Sequence, residues 1–225
     1  RYKNLHSRFN HMITIVIPAR NEEKNIAEVI KQVKRAVKEK FELFVIDDAS
    51  TDNTAKVAKS LGARVIHHKI PQGGVWAKDL RFFKGRFIIS LDADMEHDPK
   101  YLPRFIKALN SCDLVLGTRD RFSRIAEPIL QTLFCLPTSD FFTGFVGFRR
   151  KWVPQLVKHE CRLWQESFFA IHALGGTVCG VPIRSPPANR PSRFGGAIKS
   201  NLKELMFFQR YYRHGRRIKR GLCHR

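Results

Sequence analysis

Two hydrophobic patterns alternate along the first half of the chain. Short runs of consecutive apolar and β-branched residues predict buried strands, and segments whose apolar residues recur every three or four positions predict helices. The predicted strands are 13–17, 42–46, 64–67, 86–91 and 113–117. The first predicted helix carries its apolar stripe at Ile26, Val29, Ile30, Val33 and Val37. Because strands alternate with helices, we expect an α/β fold with a mainly parallel sheet.

The second half of the chain is less regular. It predicts helices at 125–133 and 164–174 and strands at 145–149 and 177–181. A proline-rich segment at 186–191 separates this body from a basic tail. The expected organisation is an N-terminal extension at 1–12, an α/β domain at 13–195 and a basic, amphipathic tail at 196–225.

The composition excludes a disordered or fibrous protein. Of the 225 residues, 43% are hydrophobic and 11% aromatic, which is enough to build a sizeable core. The charge balance is unusual, because 41 Lys and Arg stand against 20 Asp and Glu and give a formal net charge of +21. Such an excess predicts an anionic partner, which is a nucleic acid, a membrane surface or a phosphorylated substrate.

The five cysteines are odd in number, widely spaced and without a CxxC pair. They argue against a zinc site and against a disulfide framework, and they suit a reducing compartment. No secretory signal is evident at the N-terminus, and no apolar stretch reaches the roughly 20 residues that a membrane-spanning helix needs. We therefore expect a cytoplasmic protein that is soluble or peripherally associated with a membrane.

Acidic residues follow two of the predicted strands. Asp47 and Asp48 end the second strand, and Asp92 and Asp94 end the fourth. Since ligands bind beyond the carboxyl ends of parallel strands, these acids should meet at one edge of the sheet. Along an extended chain Asp92, Asp94 and Glu96 point the same way, and such a carboxylate set suits Mg²⁺ or Mn²⁺. The alternative is a solvated acidic turn that caps the next helix.

The segments after the first two strands lack the glycines of a dinucleotide-binding loop. They read PARNEE from Pro18 and DDASTD from Asp47. A nicotinamide or flavin oxidoreductase is therefore not expected. Carboxylates at this edge are better suited to hydrogen-bonding a base and a ribose, although Asp52 is better explained as a helix cap.

Several longer motifs resemble those of a known enzyme family. They are IVIPARNEE, VIDDASTDNT, GGVWAKDLRFFKGRFIISLDADMEHDP, LVLGTR and DFFTGFVGFRR, in that order. Together they resemble family two glycosyltransferases of the GT-A fold, and within that family the dolichol- or polyprenol-phosphate mannose (or glucose) synthases. The resemblance covers residues 13–194 and implies a Rossmann-like, mainly parallel sheet flanked by helices.

The resemblance also implies roles for individual residues on the donor side. Residues lying along the nucleotide are Pro18, Arg20 and Glu22, with Asp47 and Asp48 near its base and ribose. Residues matching the metal-binding motif, for Mg²⁺ or Mn²⁺ against the diphosphate, are Asp92, Asp94 and Glu96.

On the acceptor side the implied roles are catalytic or phosphate-binding. Arg119 matches a basic residue directed at phosphate, and Asp140 matches an acid that faces the acceptor. Glu166 matches a carboxylate that serves as a base or as a structural anchor. Arg190 and Arg193 resemble the cations of a closing segment that clamps phosphates, although Pro191 and a missing glycine depart from that motif.

The reaction implied is an inverting transfer of mannose or glucose from a nucleoside-diphosphate sugar to a polyprenyl phosphate at the cytoplasmic face of a membrane. A lipid phosphate is already an anionic nucleophile, whereas a hydroxyl acceptor requires a base such as Asp140 or Glu166. One alternative is a transferase with a soluble sugar or glycan acceptor. Another is a basic module that binds phosphate or nucleic acid without catalysis.

The stretch from Arg190 to Arg225, which includes the basic tail, contains eleven Lys and Arg and one acid, Glu204. Its apolar residues at near-helical spacing are Ile198, Leu202, Leu205, Met206 and Tyr212. A cationic amphipathic helix favours contact with an anionic membrane surface. The alternative is a terminal helix packed on the domain. Nucleic acid is the least expected partner, since no nucleic-acid fold signature is present.

Overall fold

The computed structural model describes residues 12–73, 75, 78–119, 140, 143–161 and 164–184, together with 206, 209 and 213. Seven strands form one sheet in the order β3-β2-β1-β4-β6-β5-β7. The strands are β1 Ile13–Ala19, β2 Phe41–Asp47, β3 Arg64–His67, β4 Phe87–Ser90, β5 Leu114–Arg119, β6 Val146–Arg149 and β7 Val178–Ile183. The helices are α1 Ile26–Ala36, α2 Thr54–Ser60, α3 Leu102–Ala108, α4 Val153–Lys158 and α5 Trp164–Ala173. Short 3₁₀ turns are Asp79–Phe82, Pro99–Tyr101 and Arg150–Trp152.

The sheet is parallel except at one strand. β1 pairs in parallel with β2 and β4, β2 with β3, and β5 with β7. β6 lies between β4 and β5 and is antiparallel to both. The expected α/β fold with a mainly parallel sheet is confirmed.

Both faces of the sheet are covered, which explains the unbroken apolar runs of its strands. In β1, Ile15 and Ile17 pack in a core with α1 and α3, whereas Val16 packs in a second core with α5. Helix α1 buries the predicted stripe at Ile26, Val29, Ile30 and Val33. Its exposed residues include Lys31, Lys34 and Arg35. Phe168 of α5 is fully buried in the second core.

Several elements differ from the sequence-based expectations. The helical stretch expected before Phe83 is only the 3₁₀ turn Asp79–Phe82, and α4 was not predicted. The expected helix at 125–133, the loop at 186–191 and the boundary between domain and tail lie outside the described residues. Of the tail, Met206, Gln209 and Arg213 are described as helical and exposed.

The expectation that the cysteines form no disulfide is wrong for one pair. Cys112, just after α3, is joined to Cys179 in β7, with a Cα–Cα distance of 6.1 Å. The two residues are 67 positions apart, so only the folded topology brings them together. Cys161 is a buried free thiol. Among the helices that the structure describes, none combines the length and the apolar character that crossing a bilayer requires.

Candidate active site

The loops after β1 and β2 hold each other at the carboxyl edge of the sheet. Asn21, with φ of 55°, accepts a hydrogen bond from the Thr51 amide at 2.8 Å and donates its own amide to Ser50 Oγ at 3.0 Å. Glu23 Oε2 accepts the Asn53 backbone amide at 3.1 Å, and the Glu23 amide donates to Asp52 Oδ2 at 3.1 Å. These reciprocal bonds give the two loops one defined conformation although neither contains a glycine.

The three residues predicted to lie along the nucleotide occupy different environments. Pro18 is a residue of β1 beyond the part that pairs with β4, so its missing N–H leaves that ladder intact. Arg20 is exposed at the edge. Glu22 is buried, donates its amide to Thr54 Oγ1 at 2.8 Å and accepts a bond from Asn25 at 2.7 Å. Glu22 therefore anchors the start of α1.

Asp47 and Asp48 are both buried at the end of β2. Asp47 Oδ2 lies 2.6 Å from His67 Nδ1. Asp48 accepts backbone hydrogen bonds from Gln72 at 2.7 Å and Gly73 at 2.8 Å, and one oxygen also lies 3.0 Å from His68 Nδ1. The Asp48 carboxylate thus fastens the loop after β3, a role that its sequence position did not indicate.

Hydrogen bonding controls the charge of Asp48. Burial alone raises the pKa of this carboxyl, but the donated bonds from Gln72, His68 and Gly73 outweigh burial and lower the pKa below its usual value. His68 also approaches Asp79, with Nε2 3.3 Å from Oδ2. A buried acid–imidazole–acid chain therefore supports this side of the edge.

The acidic turn after β4 carries the predicted metal ligands. Asp92, Asp94 and Glu96 are all partly exposed, and Met95 between them has φ of 65°. Asp94 Oδ1 accepts the Glu96 amide at 3.1 Å, which closes the turn. Their carboxylate oxygens fit a hard divalent cation in chemistry. Within the described residues, however, no three His, Cys, Asp or Glu side chains converge closely enough to hold one ion. The three-carboxylate site therefore stays a prediction.

His97 lies at the centre of these groups. It is 2% exposed and packs against the Phe145 ring at 5.6 Å, and its Nδ1 lies 3.4 Å from the Asp92 amide and Oδ2. Burial, together with the charge of Arg119 and against the opposing effect of Asp94, lowers the pKa of His97 to about 4. The neutral imidazole therefore faces inward and supports Asp92 from behind.

Gly144 permits the close approach of Asp92. A Cβ built on Gly144 would lie 2.6 Å from Asp92 Cγ and 2.8 Å from Oδ1, which is closer than real Cβ contacts. Any side chain at position 144 would displace this carboxylate. The sequence signal for this contact is the glycine within the DFFTG motif.

Arg119 and Asp140 form a buried, bidentate ion pair. Arg119 Nε lies 2.9 Å from Oδ2 and Nη2 lies 2.8 Å from Oδ1, and the Arg119 amide also donates to Oδ2 at 2.9 Å. The two side chains are 6% and 5% exposed. Gly144, four positions after Asp140, lies against the Asp92 carboxylate, and Arg119 ends β5, which runs parallel to β4, so the pair lies at the same edge as the acidic turn. Asp92, Asp94, Glu96, Arg119 and Asp140 thus lie at one edge of the sheet, although their carboxylates do not converge on one ion site.

The remaining predicted residues lie apart or outside the described part of the chain. Glu166 is buried in the first turn of α5. Burial, together with the charge of Glu166, raises the pKa of Cys161 to about 12. Arg190 and Arg193 lie outside the described residues.

Solved structures define the class of fold. The chain resembles glucosyl-3-phosphoglycerate synthase from Mycobacterium tuberculosis in complex with Mn²⁺ and UDP-glucose, with a TM-score of 0.68, 22% identity and coverage of 90% of this chain and 80% of that one. Another structure of that enzyme contains Mn²⁺, UDP and phosphoglyceric acid, and matches with a TM-score of 0.65 at 21% identity over 92% of this chain and 78% of that one. The fold is the GT-A, Rossmann-like fold.

Sequence comparison then gives the family. Residues 14–145, more than half of the chain, match Glycosyl transferase family 2, and the chain belongs to that family. It is 29% identical over 115 residues to dolichol-phosphate mannosyltransferase from Pyrococcus furiosus, covering 48% of this chain and 33% of that protein. It is 27% identical over 211 residues to undecaprenyl-phosphate 4-deoxy-4-formamido-L-arabinose transferase from Edwardsiella ictaluri, covering 86% of this chain and 64% of that protein. The chain thus spans a third to two thirds of these relatives.

Proposed function

We propose that the protein is a metal-dependent, inverting glycosyltransferase that moves mannose or glucose from a nucleoside-diphosphate sugar to a polyprenyl phosphate. The observation that carries this proposal is the acidic turn Asp92–Glu96 placed beside the Arg119–Asp140 pair at the carboxyl edge of a family 2 fold. Acids and a guanidinium at one edge can hold a divalent ion and a diphosphate at the same time.

Two parts of the sheet edge would bind different parts of the nucleotide-sugar donor. The loops after β1 and β2, with Arg20 exposed, border the space for the nucleotide. Asp92, Asp94 and Glu96 are the residues that would hold Mg²⁺ or Mn²⁺, and a bound ion stabilises the charge that develops on a leaving diphosphate. Gly144 and His97 hold Asp92 in place for that task.

The state of Asp140 supports a phosphate acceptor. Both of its oxygens accept hydrogen bonds from Arg119, so this carboxylate orients a cation and is poorly placed to remove a proton. An acceptor that is already an anion needs no such base. The names of the two curated relatives, a dolichol-phosphate and an undecaprenyl-phosphate transferase, point in the same direction.

We further propose that the basic tail, 196–225, brings the enzyme to the cytoplasmic face of an anionic membrane. Met206 is 65% exposed, as a side chain available to a lipid surface would be. Cations near an anionic leaflet each contribute about 1 kcal/mol. In this proposal nucleic acid is not a partner.

A second candidate function differs only in the acceptor. The solved structures with this fold include an enzyme named for making glucosyl-3-phosphoglycerate, whose crystals contain phosphoglyceric acid. A soluble, phosphorylated acceptor is therefore the alternative. Its hydroxyl would need a base, for which Glu166 is the remaining predicted acid.

The deciding experiment follows nucleotide release from a panel of nucleotide sugars with Mg²⁺ or Mn²⁺. Each reaction is run with polyprenyl phosphate, with phosphoglyceric acid and without acceptor. Release that depends on polyprenyl phosphate supports the lipid reaction, and release that depends on phosphoglyceric acid supports the alternative. No release from any donor contradicts both.

Replacing Asp94 with alanine should lower transfer by at least about a hundredfold. Loss of a metal ligand removes several kcal/mol of charge stabilisation, and each 1.4 kcal/mol is tenfold in rate. The matched control is Glu39→Ala, which removes an exposed acid between α1 and β2, at the opposite edge. Equal rates for Asp94→Ala and the control would refute the metal-ligand assignment.

A further inference from the structure

A second cationic site lies at the same edge, away from the acidic turn. A cleft of about 760 Å³ opens at the ends of β5 and β7. Its wall carries Lys100, Arg104 and Arg184 around the ring of Tyr101, and Pro182 and Ile183 line its apolar side. The mechanism proposed above uses none of these residues.

Tyr101 organises the cations. The residue is only 7% exposed, and its hydroxyl accepts the Arg184 amide at 3.1 Å. Lys100 Nζ lies 5.2 Å and Arg104 Cζ 5.5 Å from the centre of its ring. The buried Tyr101 side chain thus contacts all three residues whose cationic groups are exposed. Its O–H can still donate a hydrogen bond to a ligand.

The charges of this cleft repel one another. Its lining contains three cations and no carboxylate among the described residues. Asp98, outside the lining, pairs with Lys100 at 2.5 Å. This pair raises the pKa of Lys100, whereas the charge of Arg184, which lines the same cleft, acts in the opposite direction. A multiply charged anion would relieve this repulsion.

We propose that the cleft of Lys100, Arg104, Arg184 and Tyr101 binds a phosphate monoester group, at a site separate from that for the donor diphosphate. Arginine suits phosphate because its planar fork donates two parallel hydrogen bonds. The carbon part of the ligand lies on Pro182 and Ile183. Phosphate binding in the cleft does not depend on the proposed function. Only the identification of the ligand as the acceptor rests on that function.

The position of the cleft agrees with an acceptor. In the sheet, β4 is followed by β6, β5 and β7. Neighbouring strands lie about 4.8 Å apart, so the end of β5 lies about 10 Å from the acidic turn after β4. Two phosphate-bearing ligands can therefore occupy the edge together. The phosphate belongs either to a soluble molecule or to a lipid headgroup.

The first test measures the binding of inorganic phosphate to the full chain by isothermal titration calorimetry, in the presence of EDTA. Wild type should bind saturably, and the double variant R104Q/R184Q should bind at least about tenfold more weakly. The control R35Q/R81Q removes two exposed arginines that do not line the cleft, and it should bind like wild type. Equal affinity in R104Q/R184Q and wild type, or no saturable binding by wild type, overturns the proposal.

The second arm identifies the source of the phosphate. Phosphatidylcholine vesicles with polyprenyl phosphate are compared with vesicles in which phosphatidylglycerol supplies the same charge. Preferential, cleft-dependent binding to the first supports a lipid phosphate, and binding of inorganic phosphate alone supports a soluble acceptor. Melting temperatures confirm that the variants are folded.

Donor turnover separates this inference from the proposed function. If wild type releases nucleotide from no sugar donor, but R104Q/R184Q still loses phosphate binding, the transferase proposal fails and the cleft assignment stands. If transfer occurs and the affinity for phosphate is the same in both proteins, the cleft assignment fails alone.

Discussion

At the scale of single residues, the position of Asp92 depends on two other residues. His97 supports it from within the same turn, and Gly144 leaves the space that it occupies. Neither residue has to contact a ligand to matter, since a carboxylate displaced by about 1 Å loses much of its value at a reacting centre. Both residues therefore act as positioning residues.

Substituting Gly144 with alanine should displace the Asp92 carboxylate and leave the fold intact. The added methyl group would overlap Asp92 Cγ, and Asp92 is partly exposed and able to move aside. We expect Mn²⁺ affinity and nucleotide release to fall by at least about tenfold, with little change in thermal stability. Calorimetry with Mn²⁺ and the release assay measure these effects. Wild-type affinity in Gly144→Ala would show that Asp92 does not hold the ion.

His97 should make the metal-free protein less stable as the pH falls from 6.5 to 4. The folded protein keeps the imidazole neutral down to about pH 4, because burial opposes its charge, whereas the unfolded chain takes up a proton near pH 6.5. Stability from this group is thus present above pH 6.5 and declines towards pH 4. The effect amounts to at most about 3 kcal/mol, since one pKa unit corresponds to about 1.4 kcal/mol.

Denaturant unfolding of wild type and His97→Asn at pH 7 and pH 4 measures this contribution. The difference between the two pH values should be smaller in the variant, because asparagine does not titrate. The contributions of the other titrating groups to the free energy of unfolding are the same in both proteins and cancel in the comparison. The same pH difference in both proteins would contradict a neutral, buried His97.

At the scale of elements, carboxylates fasten loops to the ends of strands. Asp48 holds the loop after β3 through the Gln72 and Gly73 amides, and Asp113 accepts the Thr177 amide ahead of β7 at 3.2 Å. Hydrogen bonds to a charged acceptor are stronger than neutral ones, so each carboxylate stabilises the local path of the chain. The loop held by Asp48 borders the donor half of the edge.

The variant Asp48→Asn should loosen this loop selectively. An amide side chain offers one acceptor oxygen where the carboxylate offered two, so one of the part-buried amides of Gln72 and Gly73 loses a hydrogen bond to a charged group, which contributes about 1.5–3 kcal/mol. Hydrogen exchange at Gln72 and Gly73 should become faster. Asp113→Asn is the matched control and should speed exchange at Thr177 alone. Unchanged protection at Gln72 and Gly73 in Asp48→Asn would contradict the anchoring role.

The regular elements were largely predictable because burial on both faces leaves a clear apolar signal. All seven described strands correspond to predicted ones, and the stripe of α1 is buried at Val29, Ile30 and Val33. The antiparallel direction of β6 was not predictable, since a four-residue strand carries no sign of its neighbours. Helix α4 is short and contains Pro154, which hides its helical period.

The site was predictable in part for a similar reason. Acids directly after a strand signal their place at the edge, as Asp92 and Asp94 do. The contacts of those acids depend on chain segments far away in sequence. Arg119 meets Asp140 across 21 positions, and Asp48 meets Gln72 across 24. Such pairs require the topology of the sheet, which local patterns do not contain.

At the scale of the whole molecule, the sheet edge at β7 is tied covalently to the body. Cys179 lies in β7, and Cys112 follows α3, so the disulfide joins the edge strand to the helix that covers it. The same strand carries Pro182 and Ile183 of the cationic cleft. The integrity of this edge therefore depends on both packing and the redox state.

Reduction of this disulfide should lower the free energy of unfolding by up to about 4 kcal/mol. Closing a loop of this length, 67 residues, restricts the unfolded chain by about that amount. Denaturant unfolding with and without reductant, and of Cys112→Ser/Cys179→Ser, measures the effect. Non-reducing peptide mapping should link the two peptides and leave that of Cys161 unlinked, since the raised pKa of Cys161 keeps it a thiol. Unlinked Cys112 and Cys179 peptides would contradict the pairing.

The ion pair between Arg119 and Asp140 has a consequence for the length of the chain between these two residues. The chain leaves the sheet edge at Arg119 and is back at Asp140, and the two ends are held together by three hydrogen bonds. Doubling the length of a closed loop costs only about 0.6 kcal/mol. A change in the number of residues between 119 and 140 should therefore cost the folded protein little free energy, as long as the three hydrogen bonds to Asp140 are kept.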